Sequence, residues 1–281
     1  MIEINIKDIE NICSEFGNKI KGKKRRSKNR FYRYYQEHIE QIIFCPAHNL
    51  SNIIKLFESE FSPNYAEEEW SEFRKYMIGQ YDSFIKANGI WLAKALNVSV
   101  CPYCNRQYTF TVDRKQKIRP QFDHFYPKSL YPYLALSFYN LIPCCPICNH
   151  SKGNRIISHN PYTGGFASNS NFKIDRLDKC LMHNENWNIV INNSEQCQAN
   201  IEAFSLSDLY NQHKDYAKEI VFRAVAYESP YLKAIKKEFG RFNLSESEIE
   251  RIIWGSYINP DEFGKRPLSK LTHDIMQQIK K

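Results

Sequence analysis

The chain has 281 residues and a formal net charge of +8, with 42% hydrophobic and 25% charged side chains. That length allows one or two domains with a full core. The composition excludes a disordered, collagen-like or membrane-bundle chain, and no run reaches the roughly 18 apolar residues of a membrane span. The charge is unevenly placed: residues 19–30 carry +8 and residues 97–165 carry +6, which leaves −6 for the remainder. Two basic blocks on an acidic background suit a polyanionic partner such as nucleic acid.

Met1 to Glu10 holds acids and no apolar core, so it does not read as a signal peptide, and a cytoplasmic location is expected. Nine cysteines in a reducing compartment are not expected to form disulfides; where tightly spaced, they point to metal or redox chemistry.

Residues 3–18 read as an amphipathic helix with Ile4, Ile6, Ile9, Ile12 and Phe16 near helical spacing. The basic run Lys19–Arg30 follows, then a helix through Phe31, Tyr32, Tyr34 and Tyr35 that Cys45-Pro46 breaks. These aromatics could stack on bases; their helical spacing favours a core or interface. Residues 65–96 are helical again, and Gly79 and Gly89 weigh against one unbroken helix. From Asn97 the chain turns rich in Cys, Pro, Asn and aromatics. A strand over 108–112 is expected to turn back, through Asp113–Lys117, into 118–125. Residues 162–200 look loop-like, with a strand at 187–191. Helical pattern returns from Ala203 in two or three segments, one of them capped by Ser245 with Glu248 three residues on. The domain division expected is 1–96, 97–165 and 166–281.

The chemistry sits in the middle segment. Cys101-Pro-Tyr-Cys104 and Cys145-Pro-Ile-Cys148 can each place two thiolates on one turn, and two such turns make a tetrahedral zinc site. Cys144 is an alternative first ligand of the second pair. Cys13, Cys45, Cys180 and Cys197 suit buried apolar positions. Between the pairs lie Asp123 and His124, and further on Asn140, Asn149, Lys152 and Arg155. Phosphodiester hydrolysis wants such groups. An imidazole takes a proton from water near neutral pH. A hard cation on a carboxylate and an amide oxygen offsets charge on the phosphate. Nearby basic side chains such as Lys128, Lys152 and Arg155 hold flanking phosphates. One geometric condition applies. Neighbours on a flat strand face opposite ways, so Asp123 and His124 share a site only at a bend or strand end, for which Pro127 provides a cause.

Asp-His, a central Asn, then Cys-x-x-Cys-Asn-x-x-Lys with an upstream Cys-x-x-Cys resembles an HNH endonuclease of the ββα-metal type over residues 97–160. The resemblance implies an α+β protein, with a small ββα-metal core and structural Zn²⁺ (on Cys101, Cys104, Cys145 and Cys148) set in a mainly α-helical frame. It further implies catalytic Mg²⁺ or Mn²⁺ on Asp123 and Asn149, with His124 as general base. Asn140 orients the loop, and Asn149 stands where the family commonly has His. The wording Cys-Pro-Tyr-Cys-Asn…Asp-His-Phe-Tyr-Pro-Lys…Tyr-Asn-Leu-Ile-Pro-Cys-Cys is also similar to the HNH subunits of bacterial Septu-type and retron-associated anti-phage defence systems, which implies an ABC-like ATPase partner. DNA is the expected substrate, with RNA left open. In Lys19–Arg30, residues Lys23, Lys24, Arg25 and Arg26 are candidate phosphate contacts, or a solvated linker. Two rivals stand beside the nuclease: a zinc-stabilised nucleic-acid-binding module without catalysis, and a thiol oxidoreductase, since Cys-Pro-Tyr-Cys also occurs in glutaredoxin-like proteins.

Overall fold

A computed structural model describes residues 1–20, 27–61, 67–166, 170–182, 185–193, 195–227 and 229–280. It has two compact units, one of residues 4–98 and 109–163, the other of residues 1–3, 99–108 and 164–281. Helices with three small antiparallel sheets give an α+β protein. Among the described residues no helix is long and apolar enough to cross a membrane.

In the first unit, α1 (Ile9–Ile20) buries Cys13, Phe16 and Gly17. It begins later than the expected residue 3, because Ile4 donates its N–H to the Pro161 carbonyl at 2.9 Å in extended chain. α2 (Arg30–Glu37) starts where the Asn29 side chain accepts from the N–H groups of Phe31 and Tyr32. α3 (Ile39–Ile43) ends before Cys45-Pro46. α4 (Leu50–Phe61), which the sequence reading leaves unassigned, buries Leu50, Ile53, Ile54, Phe57 and Phe61.

α5 (Glu67–Leu96) runs unbroken for 30 residues, about 45 Å. It passes through both glycines that weigh against continuity. Packing holds the helix there, outweighing the roughly 1 kcal/mol propensity cost of each glycine. Gly79 faces open space, but a Cβ at Gly89 would lie 2.9 Å from Nε of Arg119. Gly89 therefore marks the close approach of that guanidinium. Rings of Phe31, Phe57, Phe61, Trp70 and Phe73 make the core of this frame, and Phe57 stacks on Tyr133 at 3.9 Å. Phe31, Tyr32 and Tyr35 are buried in it.

The expected hairpin of 108–112 with 118–125 forms only at its tip, where Val112 meets Ile118, and residues 121–124 pair elsewhere. β1 (Val112–Asp113) pairs with β2 (Lys117–Ile118). β3 (Gln121–His124) pairs antiparallel with β4 (Leu141–Cys144), from Gln121 opposite Cys144 to His124 opposite Leu141. α6 (Pro146–Lys152) follows at once, with Cys145 as its N-cap. Two paired strands, joined by a loop with two short 3-10 turns, thus lead into a helix that packs on β3.

In the second unit, β5 (Ser170–Ile174) pairs with β6 (Ile189–Asn193); only the latter overlaps an expected strand. α7 (Leu177–Leu181) lies between them. α8 (Glu195–Ala203), α9 (Leu206–Asn211), α10 (Lys214–Ala226), α11 (Ser229–Gly240), α12 (Glu246–Trp254) and α13 (Ser269–Lys280) follow, more helices than the two or three segments expected. α13 covers the edge of β5: Asp274 accepts from the Phe172 N–H, and Gln278 both accepts from and donates to the Ile174 backbone. The expected capping box at Ser245 and Glu248 is present.

Candidate functional site

β3 positions two polar side chains on one face, because residues two apart on a strand point the same way. Gln121 meets Asn149 of α6, whose Nδ2 donates to its Oε1 at 2.6 Å. Asp123 meets Lys152, one helical turn further along α6, with Nζ 3.3 Å from Oδ2. Lys152 also donates to the His124 carbonyl at 2.6 Å. Its side chain is 0% exposed and that of Asp123 5%. Burial pulls the Lys152 ammonium below its ordinary pKa, and Asp123 opposes that shift. Lys152 was expected on phosphate; it is instead an internal cross-link from α6 to β3.

His124 is the last residue of β3. Its side chain has different partners from that of Asp123, as strand alternation requires. Nε2 lies 3.1 Å from the Ala135 carbonyl, and the ring meets Tyr81 of α5 edge-on at 4.4 Å. A carbonyl only accepts, so Nε2 carries the proton and Nδ1 keeps its lone pair. Burial, aided by the charges of Lys128 and Lys152, lowers the imidazole pKa to about 3, against the hydrogen bond to Ala135. The ring is therefore neutral across the physiological range.

Asn140 holds the loop after His124 closed. Its Nδ2 donates to the carbonyls of Tyr126 and Leu134, and its Oδ1 accepts from the Tyr126 N–H at 2.7 Å. It is fully buried. Leu134 is the neighbour of Ala135, so the same amide that closes the loop also sets the carbonyl on which His124 rests.

The sulfur atoms of Cys101, Cys104, Cys145 and Cys148 all lie within 4.8 Å of one another, and all four residues are buried. A tetrahedral ion with Zn–S of about 2.3 Å needs sulfurs about 3.8 Å apart, so the group can hold a metal such as zinc. Backbone N–H groups of Arg106 and Cys148 point at the sulfurs of Cys104 and Cys145, each at 3.4 Å, which favours thiolates. Cys144 is not in the group. It is buried in β4, and none of the nine cysteines is in a disulfide. All nine are buried, which denies an attacking thiol the access that exchange chemistry needs. Among the described residues these four are the one group of three or more His, Cys, Asp or Glu close enough to share an ion.

Of the other expected contacts, Lys128 is half-buried, with Nζ over the Tyr81 ring at 4.1 Å and 3.4 Å from Asp82. Arg155 is exposed and donates to the Ser151 carbonyl. Lys23, Lys24, Arg25 and Arg26 lie outside the described residues. Sequence reading missed Gln121 and Tyr81. Gln121 was visible as the residue two before Asp123. Nothing local links Tyr81, some forty residues upstream, to His124. Comparison with protein-family models, with curated proteins and with solved structures gives no match for this chain.

Proposed function

We propose that the protein is a metal-dependent endonuclease of the HNH type. The observation that carries this is the strand–strand–helix succession β3, β4 and α6. These elements carry a buried carboxylate (Asp123), a neutral imidazole (His124) and an amide (Asn149) on neighbouring positions, with Asn140 fixing the loop between the strands. In this reading His124 takes a proton from water at Nδ1 once the negative charge of a bound phosphate offsets the burial and the two ammonium groups that hold its pKa low. The water oxygen bonds to phosphorus, the bond from phosphorus to the 3′ oxygen breaks, and the departing oxygen takes a proton from solvent, which gives a 5′ phosphate and a 3′ hydroxyl while His124 later releases its proton to water. A divalent cation, Mg²⁺ or Mn²⁺, held by Asp123 and the amide oxygen of Asn149, would supply charge neutralisation for the departing oxygen. Lys152 holds Asp123 and the end of β3 in register. The four thiols, loaded with zinc, hold their two turns together.

The defence role and the ATPase partner rest on the wording of the motif, and co-purification with a neighbouring ATPase tests them. The nuclease itself is tested by His124→Ala. DNA binding should survive while cleavage with Mg²⁺ or Mn²⁺ disappears. Cleavage at the wild-type rate would refute the base, and a wild-type protein that binds but cuts no DNA or RNA would leave the zinc-stabilised binding module in its place.

A further inference from the structure

We propose that the β1–β2 hairpin is a duplex-DNA arm that grips phosphates beside β3. The hairpin residues 112–118 are all exposed. They carry Arg114, Lys115 and Lys117 against one acid, Asp113, and that acid is taken by Lys94 at 2.7 Å. Among the described residues no carboxylate lies within ion-pair distance of Arg114, Lys115 or Lys117. The three cations outnumber the one carboxylate of Asp113, which Lys117 also faces across the ladder, so the tip keeps a net positive charge.

Of the two cross-strand pairs on the hairpin, Asp113 with Lys117 is charged and the other is apolar. Val112 lies opposite Ile118, 40% and 54% exposed. A ladder two residues deep, with its aliphatic face in water, has little stability of its own. The rest of the unit holds it. Arg119 donates to the Pro120 carbonyl, lies over the Phe122 ring at 5.7 Å and fills the gap that Gly89 leaves in α5. The ribbon is thus tied to the strand that carries Asp123, with Arg119 and Pro120 alone between β2 and β3.

A projecting, positively charged two-stranded ribbon fits a polyanion with a wide groove. The major groove of B-form DNA, about 12 Å across, admits a ribbon whose strands are about 4.8 Å apart. The deep, narrow major groove of A-form RNA does not. The ribbon would contact phosphates through its three cations and lay Val112 and Ile118 along the groove wall. As a substrate-holding arm it rests on the nuclease assignment; as a binding surface it stands by itself.

The test is the salt-dependent affinity of the full chain for a labelled DNA duplex, without added divalent cation so that no cleavage intervenes. R114Q/K115Q/K117Q should bind at least about tenfold more weakly near 0.1 M salt, with a salt slope shallower by about two to three, as each lost phosphate contact removes about 0.9. Its unfolding midpoint should match the wild type, since the three side chains are exposed. K55Q/K75Q/K237Q, with the same charge removed from exposed helical positions, should bind like the wild type. Equal affinity of wild type and hairpin variant would overturn the arm. So would an equal loss in the helical control, or an equal loss on an RNA duplex. His124→Ala should keep the difference intact. If the wild type with Mg²⁺ or Mn²⁺ added in a separate assay cleaves neither DNA nor RNA and the binding difference persists, the nuclease assignment fails and the arm remains.

Discussion

Lys152 of α6 places its ammonium 3.3 Å from the carboxylate of Asp123 in β3, and both side chains are almost wholly out of water. Breaking such a pair from one side leaves a buried charge without a partner, which costs about 3–5 kcal/mol, whereas removing both partners costs far less. K152M should therefore lower stability by that amount, and K152M/D123N should recover most of it. Urea unfolding of the four proteins of the cycle measures the coupling.

Asn140 is the second internal constraint. N140A removes two donors and one acceptor from buried backbone partners, so a loss of about 2–4 kcal/mol is expected. N140D should be no better, because a carboxylate cannot donate to the carbonyls of Tyr126 and Leu134. Denaturant midpoints check the stability. A cleavage loss in N140A under conditions where the protein is fully folded would identify Asn140 as a positioning residue for His124.

Metal content separates adjacent cysteines. The wild type should carry one zinc per chain by elemental analysis. Cys145→Ser should lose it, and Cys144→Ser should keep it despite being buried in β4. Zinc retained in Cys145→Ser and lost in Cys144→Ser would reassign the second pair.

His124 gives a pH dependence of defined sign. Its imidazole titrates near 3 when folded, because it is buried and faces two ammonium groups, and near 6.5 when unfolded. The folded-state value is the lower one, so below pH 6.5 the unfolded chain takes a proton that the folded chain refuses. Relative to H124Q, the wild type should lose stability as pH falls from about 6.5 towards 3, by up to about 1.4 kcal/mol per pH unit. Thermal unfolding of both proteins across that range checks it, and parallel curves would refute the assigned environment.

Local features were legible without a structure. The four paired thiols, the capping box at Ser245 and Glu248 and the break at Cys45-Pro46 each depend on residues a few positions apart, where spacing and chemistry act directly. Asp123, His124 and Asn149 were readable as candidate chemistry for the same reason. α5 was readable as helical but not as continuous, because the seating of Arg119 against Gly89 joins segments thirty residues apart.

Only the tertiary structure decided the pairing and burial. β3 takes β4, seventeen residues on, rather than the nearer 108–112, because Phe122 and His124 find buried partners there and an exposed two-residue turn offers none. Lys152 looked like a surface cation and proved to be internal, since a lysine goes inside only where a carboxylate and a carbonyl wait to receive it. Cys144 and Cys145 are the same residue type one position apart. The end of β4 directs the first into the sheet and the start of α6 directs the second to the other thiols. Composition and spacing determine which groups are present and how they act within one turn. Which of them meet depends on where separate elements dock, because the free energy of burial rewards contacts between residues far apart in the chain and leaves no local signature.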